Sequence, residues 1–357
     1  MSQAMMRAAR MYGLKDVRIE EVPVPQIEPN EVLIQVKTCG VCHVDFEYYG
    51  GIRPIQKPPV NIGHEVAGVV AAVGQKVKSV AEGDKVVVDL LMRCGKCYYC
   101  RKGKGNLCTD KGPFPGAFSD YTKAPEQNVF KIPPHVSFEE ASLTEPLGCC
   151  INGLENAKIM KGDDVVIIGA GPMGLMSIQL AKLSGARVIA SDLLDERLKL
   201  AKEFGATELV NPSREDPVEK VKQLTEGRGA QCVMVAIGNL KAMEQGIKMA
   251  GRLGTVVLFG AIWPSASLTI DPNVIHYNEI VIVGAEARTL DQFYRALKMI
   301  ADGIVKVKPL VTHEFPLSRI KEALETASSK AGLKIMITMD EGKEPNPRSQ
   351  VSPQRSF

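Results

Sequence analysis

The feature that most constrains the fold is a hydrophobic run that leads directly into a glycine-rich turn. Residues 165–168 are Val-Val-Ile-Ile, residues 169–174 are Gly-Ala-Gly-Pro-Met-Gly, and a helical pattern follows from 172 to about 183. A buried parallel strand, a tight turn and a helix N-terminus in this order form a binding site for a pyrophosphate. Similar glycine-rich turns also occur as plain architecture. The stretch therefore predicts either a dinucleotide site or a purely structural turn.

Each position of this turn has an expected role in cofactor binding. Gly169 permits the turn, Gly171 lets the backbone approach a phosphate, and Gly174 lets the helix pack closely on the strand. Pro172 and Met173 open the helix whose N-terminus would face the phosphate.

An acidic residue follows the next hydrophobic run. Residues 187–191 end at Asp192, at about the distance where a ribose hydroxyl would bind. A carboxylate there accepts hydrogen bonds from the 2′- and 3′-hydroxyls and repels a 2′-phosphate, which favours NAD over NADP. The alternative is that Asp192 caps a helix over residues 193–204.

The composition is that of an ordinary globular protein, long enough for two domains. The chain has 357 residues, of which 45% are hydrophobic and 24% are charged, and its formal net charge is +3. This small net charge gives no reason to expect nucleic acid or an anionic membrane as a partner. No apolar run reaches the length of a membrane span, and the first ten residues lack a secretory apolar core. We therefore expect a cytoplasmic protein.

The hydrophobic pattern divides the chain into a β-rich lobe and an alternating half. Residues 6–124 contain short strands interrupted by Gly and Pro, whereas helical stretches alternate with β-branched runs from about residue 137. Six such runs predict a doubly wound parallel sheet, so the expected fold class is α/β. The expected strands are 32–37, 66–73 and 85–91 in the lobe, and 164–168, 187–191, 208–210, 231–236, 255–259 and 280–284 in the sheet.

The last part of the chain is expected to return to the first lobe. Helical patterns cover 290–302 and 318–329, and residues 334–339 predict a closing strand. The expected domains are a β-rich catalytic domain at 1–150 with a cysteine lobe near 90–110, an NAD-binding Rossmann domain at 151–290, and a return to the first domain at 291–340. The segment 341–357 holds three prolines and little apolar content, so we expect a disordered tail or a surface arm.

Four cysteines predict a metal site in the β-rich lobe. Cys94, Cys97, Cys100 and Cys108 are spaced Cys-x2-Cys-x2-Cys-x7-Cys. Four thiolates this close complete a tetrahedral sphere around zinc and leave no position for a substrate, so the site would be structural. An iron–sulfur cluster uses similar ligands and is the main alternative.

Three further segments carry residue types that bind catalytic metals. Cys42 offers a thiolate, His64 and Glu65 offer an imidazole and a carboxylate, and Glu145 offers a second carboxylate. Spacing alone does not bring these residues together. Each has a simpler interpretation, with Cys42 as a packed hydrophobe, His64 as a hydrogen-bonded core histidine and Glu145 as a helix-start acid.

Taken in order, these motifs resemble the zinc-dependent medium-chain alcohol dehydrogenases. The segments are Gly-Val-Cys at 40–42, Gly-His-Glu at 63–65, the four cysteines, Glu-Pro-Leu at 145–147 and the glycine turn. The resemblance extends from about residue 6 to residue 340. It implies a GroES-like catalytic domain beside the Rossmann domain, two zinc ions per subunit and NAD as the cofactor. Glu-Pro-Leu resembles the polyol (sorbitol) and threonine dehydrogenases, because ethanol-type enzymes place a cysteine there.

The resemblance also implies roles for individual residues. Cys42 and His64 would bind the catalytic zinc, with Glu65 a ligand in some states and Glu145 a ligand directly or through water. One thiolate, one imidazole and one carboxylate leave one open position, where an alcohol oxygen is polarised before hydride transfer. Asp45 would orient the zinc-bound histidine.

Two basic residues resemble cofactor contacts of the family. His43 lies where relatives carry a basic residue near the cofactor pyrophosphate, and a plain surface histidine is the alternative. Arg197 resembles a residue that packs near the adenosine, and a phosphate contact is the alternative.

The chain departs from the family at the proton relay. Two residues after Cys42, relatives have Ser or Thr, whose hydroxyl starts the relay, but this chain has Val44. Glu47 lies where many relatives have histidine. Glu47 or Glu145, acting with a water, is expected to accept the proton, and a solvated Glu47 is the alternative.

By the same resemblance, the apolar strand at 280–284 is expected to join two subunits in a homodimer or homotetramer, with an ordinary interior strand as the alternative. The expected function is NAD-dependent oxidation of a secondary alcohol, a small-molecule polyol above all. The alternatives are an L-threonine-type amino-alcohol dehydrogenase, a cyclic-alcohol dehydrogenase and, from a different class, a non-catalytic dinucleotide sensor.

Overall fold

The structure is a computed structural model that describes residues 4–55 and 57–340. These residues form two compact units. The discontinuous unit comprises the chain up to Pro146 together with the chain from Thr289 onward, and the central unit is Leu147–Arg288. The segment 341–357, for which we expect a disordered tail or a surface arm, lies outside the described residues.

The first segment of the discontinuous unit consists of short strands separated by turns, as the sequence predicts. Its strands are β1 (Met5–Gly13), β2 (Asp16–Pro23), β3 (Glu31–Gly40), β4 (Val60–Asn61), β5 (Glu65–Val73), β6 (Lys85–Asp89), β7 (Tyr121–Pro125) and β8 (Val129–Lys131). Its helices are α1 (His43–Tyr49), α2 (Tyr98–Arg101), α3 (Phe138–Ser142) and α4 (Thr144–Ala157), the last of which continues into the central unit.

The central unit is described throughout and contains one six-stranded parallel sheet. Its strands are β9 (Asp164–Ile168), β10 (Arg187–Ser191), β11 (Glu208–Val210), β12 (Ala230–Val235), β13 (Ala250–Leu258) and β14 (Val281–Gly284). Its further helices are α5 (Pro172–Leu183), α6 (Asp195–Glu203), α7 (Pro217–Leu224), α8 (Leu240–Met249) and α9 (Pro272–Asn278).

The strand order is β11-β10-β9-β12-β13-β14, which is the doubly wound order. Every residue of β9 is buried, as expected for a parallel strand that helices cover on both faces. The predicted fold class and sheet are therefore confirmed. The direction of strand succession reverses between β9 and β12, so the glycine turn after β9 lies at the position where such sheets bind ligands.

The predicted bounds of β9, β10, β11 and α5 agree with the structure. The predicted start of β13 is wrong. The strand begins at Ala250 rather than at residue 255. Its first residues include two glycines and pair with β12 through an irregular register. A β-branched pattern does not reveal such a start.

The last segment of the discontinuous unit contains α10 (Leu290–Ala301), β15 (Val311–Pro316), α11 (Ile320–Ser328) and β16 (Lys334–Thr338). β16 pairs antiparallel with β3, so the last strand of the described chain belongs to the same sheet as a strand of the first segment. The strand β15 is absent from the sequence-based prediction, because its polar residues and its final proline hide a run that is mostly buried.

The main sheet of the discontinuous unit has the order β15-β16-β3-β5-β6-β8, and β7 also pairs with β3. Alternate residues of β3 from Val32 to Val36 are buried, which is the period of a strand with one face in the core. The antiparallel pairing of β3 with β5 and β16 brings three distant segments together at the carboxyl end of β3.

The helices of the described chain are short, and α4 has 14 residues. None of the helices in residues 4–55 and 57–340 is both long and apolar enough to cross a membrane.

Candidate functional site

The four-cysteine lobe forms a compact sulfur cluster around the short helix α2. One ligand atom from each cysteine lies within 4.8 Å of the others, and the cluster consists of Cys94, Cys97, Cys100 and Cys108. Backbone amides point at the sulfurs: Cys97 N donates to Cys94 Sγ at 3.3 Å, and Cys94 N donates to Cys108 Sγ at 3.4 Å. Such N–H donors stabilise thiolates, which is the form that binds metals.

The surroundings of these thiols lower the pKa of some and raise the pKa of another. The backbone N–H groups of Cys100 and Thr109 lower the pKa of Cys97 to about 6, and the N–H of Cys94 lowers the pKa of Cys108. Burial, together with the neighbouring sulfurs, raises the pKa of Cys100 to about 12. Adjacent thiolates repel one another, so all four ionise together only around a cation. The donor set therefore fits a four-coordinate metal.

A second donor cluster lies at the carboxyl end of β3. Donor atoms of Cys42, His64 and Glu65 all lie within 4.8 Å of one another. The β3–β5 register pairs Gly40 with Glu65, so the chain just beyond Gly40 lies beside the chain just before Glu65. This register brings Cys42, which precedes α1, next to His64. It is the reason that residues 22 positions apart in sequence form one site.

Asp45 ties the two ligand-bearing segments together. Its carboxylate accepts the backbone N–H of Cys42 at 2.8 Å and that of Gly63 at 3.3 Å, and the side chain is buried. Burial lowers the pKa of His64, but the negative groups of Cys42, Glu145 and Asp45 raise it well above its usual value. An excess of negative charge surrounds this imidazole, which again fits a bound cation.

The two oxygens of the Glu65 carboxylate have different surroundings. Oε1 is 2.5 Å from Nζ of Lys334, and both side chains are buried. Oε2 is buried and has no hydrogen-bond partner among the described residues. A buried carboxylate oxygen without a partner is costly, so a cation coordinated beside Cys42 and His64 would satisfy it.

Glu145 contributes charge to the same region. It lies in the first turn of α4, as a helix-start acid would, and it is 6% exposed. Its carboxylate raises the pKa of His64 and of Lys334. Glu145 can therefore lie at the start of a helix and also contribute a carboxylate to a metal site.

The alternative that Glu47 is solvated is wrong. Glu47 is buried, and it forms ion pairs with Arg53 at 3.1 Å and with His43 at 3.2 Å. Its position on α1, one turn after His43, turns the carboxylate inward. The side chain of His43 is 64% exposed, so it lies at the surface as one of its two interpretations requires.

The glycine turn has the geometry that a phosphate site needs. Gly169 has a φ of 97°, which a residue with a side chain rarely adopts. A Cβ on Gly174 would lie 1.8 Å from the carbonyl oxygen of Gly169, so only glycine allows this helix–strand approach. A Cβ on Gly171 would meet only Arg197, whose Nη1 lies 4.0 Å away. The turn therefore presents an open backbone at the N-terminus of α5.

The alternative that Asp192 caps a helix is wrong. The helix begins at Asp195 with Leu194 as its N-cap residue. Asp192 instead accepts the N–H of Ala170 at 2.7 Å through Oδ2, and the N–H of Leu194 at 2.9 Å through Oδ1. The carboxylate thus joins the end of β10 to the glycine turn. Each oxygen retains a free lone pair direction for a ribose hydroxyl.

The alternative that 280–284 is an interior strand is also wrong. Within the described chain β14 pairs with β13 alone and forms one edge of the six-stranded sheet. Val281 on this edge is 50% exposed.

Sequence reasoning missed three residues of the site, namely Gly40, Arg53 and Lys334. A signal was present for Lys334, because it is the only charged residue of β16, whose five residues are all buried. The Gly-Val-Cys segment contains Gly40, but it does not indicate the close approach of Gly40 to Glu65. For Arg53 no local pattern distinguishes it from an ordinary surface arginine.

Two family models match the chain. The alcohol dehydrogenase GroES-like domain matches residues 28–134, and the zinc-binding dehydrogenase model matches residues 172–302.

Individual relatives cover nearly the whole chain. Sorbitol dehydrogenase of Bacillus subtilis is 36% identical and spans 93% of this chain and 97% of its own length. L-threonine 3-dehydrogenase of Symbiobacterium thermophilum is 34% identical and spans 95% of this chain and 99% of its own length. A solved structure from Sinorhizobium meliloti, described as a zinc-binding dehydrogenase bound to NADP, has a TM-score of 0.88 at 29% identity. It covers 94% of this chain and 100% of that one.

Proposed function

Because the chain belongs to the zinc-dependent medium-chain alcohol dehydrogenases, we propose that it oxidises a secondary alcohol, a polyol above all, with NAD as the hydride acceptor. The observation that carries this proposal is the donor cluster of Cys42, His64 and Glu65, within which one buried carboxylate oxygen has no hydrogen-bond partner among the described residues. An inert copy of the fold has no need of such an arrangement.

In this proposal Cys42 and His64 hold the catalytic zinc together with the carboxylate of Glu65 or Glu145, and the four cysteines hold a second, structural zinc. Zinc supplies Lewis acidity that favours loss of the alcohol proton, and NAD accepts the hydride. The chain's own residues do the remaining work. Asp45 fixes the separation of the two ligand segments through its backbone hydrogen bonds.

Glu47 is the proposed acceptor of the substrate proton, because Val44 has no exchangeable proton at the usual relay position. Its ion pair with the exposed His43 connects a buried carboxylate to the surface. Arg53 keeps this carboxylate oriented.

NAD rather than NADP is the proposed cofactor. The support is Asp192, whose carboxylate is held beside the glycine turn, where it would accept ribose hydroxyls and repel a 2′-phosphate. One similar structure was solved with NADP bound. The appropriate test is therefore to compare the activity of this protein with NAD and with NADP.

A threonine-type amino-alcohol dehydrogenase is the second candidate, because relatives with that name cover as much of the chain as the sorbitol dehydrogenases do. We further propose a homodimer or homotetramer in which the exposed edge of β14 pairs with a second copy.

The decisive experiment measures metal content and activity together. We expect two zinc ions per chain, and NADH formation with one class in a panel of polyols, amino alcohols and cyclic alcohols. His64→Ala should retain one zinc and lose about a thousandfold in kcat/KM, since Lewis-acid catalysis contributes several kcal/mol.

The matched control is Cys39→Ala, which removes a fully buried thiol three residues before Cys42 and should keep both zinc ions. One zinc per chain in the wild-type protein, with no activity on any alcohol, would support the dinucleotide sensor instead.

A further inference from the structure

The cysteine lobe concentrates positive charge that the net charge of the chain does not show. Residues 93–111 hold six cationic residues and one acidic residue, so this segment has a formal charge of +5 against +3 for the whole chain. A zinc ion with four thiolates would add two negative charges, which leaves the segment positive. Five of the six cations are exposed, and we call them the basic face: Lys96, Arg101, Lys102, Lys104 and Lys111.

The cations of the basic face lack acidic partners. Within residues 4–55 and 57–340, none of the five forms an ion pair with a carboxylate. The sixth cation of the segment differs, because the side chain of Arg93 is 6% exposed and lies 2.8 Å from Asp89. Like charges held close together repel one another, so the basic face destabilises the folded lobe until an anion neutralises it.

Exposed aromatic rings lie among these cations. Tyr98 and Tyr99 begin α2 and are 68% and 38% exposed. Their ring centres lie 5.4 Å apart with the ring planes at 85° to each other, and Nζ of Lys102 lies 5.9 Å from the centre of the Tyr98 ring. Exposed rings interleaved with cations are the arrangement on which single-stranded nucleic acids bind, through base stacking and phosphate contacts.

A groove with a volume of about 830 Å³ adjoins the basic face. Its lining includes Lys96 of that face, the 44% exposed Phe114, and Arg10. Nε of Arg10 is buried and has no hydrogen-bond partner among the described residues. The groove therefore extends the basic face with a third exposed ring and with a cationic donor that lacks a partner.

We propose that the cysteine lobe binds single-stranded nucleic acid, with the phosphates on the basic face and the bases stacked on Tyr98 and Tyr99. Successive phosphates match cations that are spread over a surface, and unpaired bases present the flat faces on which aromatic rings stack. A duplex hides those faces between its base pairs.

This inference departs from the expectation based on the net charge of the chain. That charge is summed over 357 residues, whereas a ligand at the lobe responds to the charges within about 10 Å of it. The inference does not depend on the proposed oxidation of an alcohol, because neither the donor cluster of Cys42 nor the glycine turn takes part in it.

The test measures the fluorescence anisotropy of labelled oligouridine and oligodeoxythymidine, each about 15 nucleotides long, with the full chain. We expect a Kd of about 1–10 µM at about 50 mM salt. The slope of the logarithm of affinity against the logarithm of salt should be about −3, since each neutralised phosphate of a single strand contributes about −0.7. Binding of either strand supports the inference, and the ratio of the two affinities shows whether a 2′-hydroxyl contributes.

The double variant K102Q/K104Q tests the basic face. It should weaken binding at least about tenfold and make the salt slope shallower by about 1.4, because two phosphate contacts are lost. The matched control is K241Q/K248Q, which removes two exposed lysines of α8 that also lack an ion pair within the described residues. The control should bind as the wild type does.

The variant Tyr98→Ala tests the stacking surface. It should weaken binding about tenfold, whereas Tyr98→Phe keeps the ring and should bind as the wild type does. Tyr277→Ala is the control, because Tyr277 is a 73% exposed tyrosine of α9. The metal content of each variant is compared with that of the wild type. If Tyr98→Ala loses metal, K102Q/K104Q tests the inference without it.

Four results would overturn the inference. The first is no binding of either strand at protein concentrations up to about 100 µM at about 50 mM salt. The second is an equal loss of affinity in K102Q/K104Q and K241Q/K248Q. The third is tighter binding of a duplex of the same length, because a duplex cannot stack on the tyrosines. The fourth is binding of phosphatidylserine vesicles without binding of either strand, which would assign the basic face to a lipid surface.

Discussion

At the scale of single residues, the site depends on buried charges whose partners are distant in sequence. Glu47 illustrates this, because its carboxylate is buried between Arg53 and His43. A glutamate on a short helix would otherwise be expected at the surface. Its burial is what makes it a candidate for proton transfer.

We expect Glu47→Gln to lower kcat about a hundredfold at neutral pH with little change in KM, because an amide cannot accept the substrate proton. Steady-state kinetics over a range of pH measures this effect. The single variant Val44→Thr restores a hydroxyl at the family's relay position. It should leave the pH dependence of kcat unchanged, because Glu47 still accepts the proton.

The matched control for Glu47 is Glu325→Gln. Glu325 accepts a hydrogen bond from Tyr49, also on α1, at 3.0 Å, so its loss perturbs the same helix without touching Glu47. Equal kcat values for Glu47→Gln and Glu325→Gln would show that Glu47 does not accept the substrate proton.

Asp192 carries the cofactor preference at the same scale. We expect Asp192→Ala to raise the KM for NAD about tenfold or more, because a hydrogen bond to a charged group contributes about 1.5–3 kcal/mol. The preference for NAD over NADP should shrink as the repulsion of the 2′-phosphate is lost. Asp195→Asn alters a nearby carboxylate bonded to Asn211 and Arg214, and it should leave the cofactor ratio unchanged. An unaltered ratio in Asp192→Ala would contradict the role.

At the scale of elements, the cysteine lobe brings four sulfurs together while it exposes its large apolar side chains. Its large apolar side chains point outward, since Tyr98 and Leu107 are 68% and 43% exposed. The helix α2 has only four residues and buries none of them. A segment of this kind stays ordered only when a cross-link or a metal holds it.

Metal removal should therefore unfold this lobe first. We expect trypsin to cleave chelator-treated protein at Arg101, Lys102 or Lys104, all exposed, while the rest of the chain remains intact. Mass spectrometry of the fragments identifies the sites, and prior addition of zinc should prevent the cleavage. A lobe that resists trypsin after its zinc has been removed would show that the metal is not what orders it.

At the scale of the whole molecule, the edge of the six-stranded sheet is the feature that points to assembly. β14 ends the sheet with Val281 half exposed and, within the described chain, with no strand on its outer side, an arrangement that proteins usually cover or charge. We expect Val281→Lys to shift the oligomer to a monomer at micromolar concentration, as measured by light scattering. Leu183→Lys, at an equally exposed position at the end of α5, should leave the assembly unchanged. A monomeric wild-type protein would reject the prediction.

The sequence by itself determined the parts of this protein whose signals are local. Residues 164–168, the glycine turn and α5 follow one another without a break, and steric limits at Gly169 and Gly174 leave few other structures. The four cysteines likewise lie close enough in sequence to form one cluster. The tertiary structure decided what depends on distant pairing. The β3–β5 register placed Cys42 beside His64, and the return of β16 placed Lys334 on Glu65. Registers of this kind follow from the packing of whole sheets, and no short stretch of sequence encodes them.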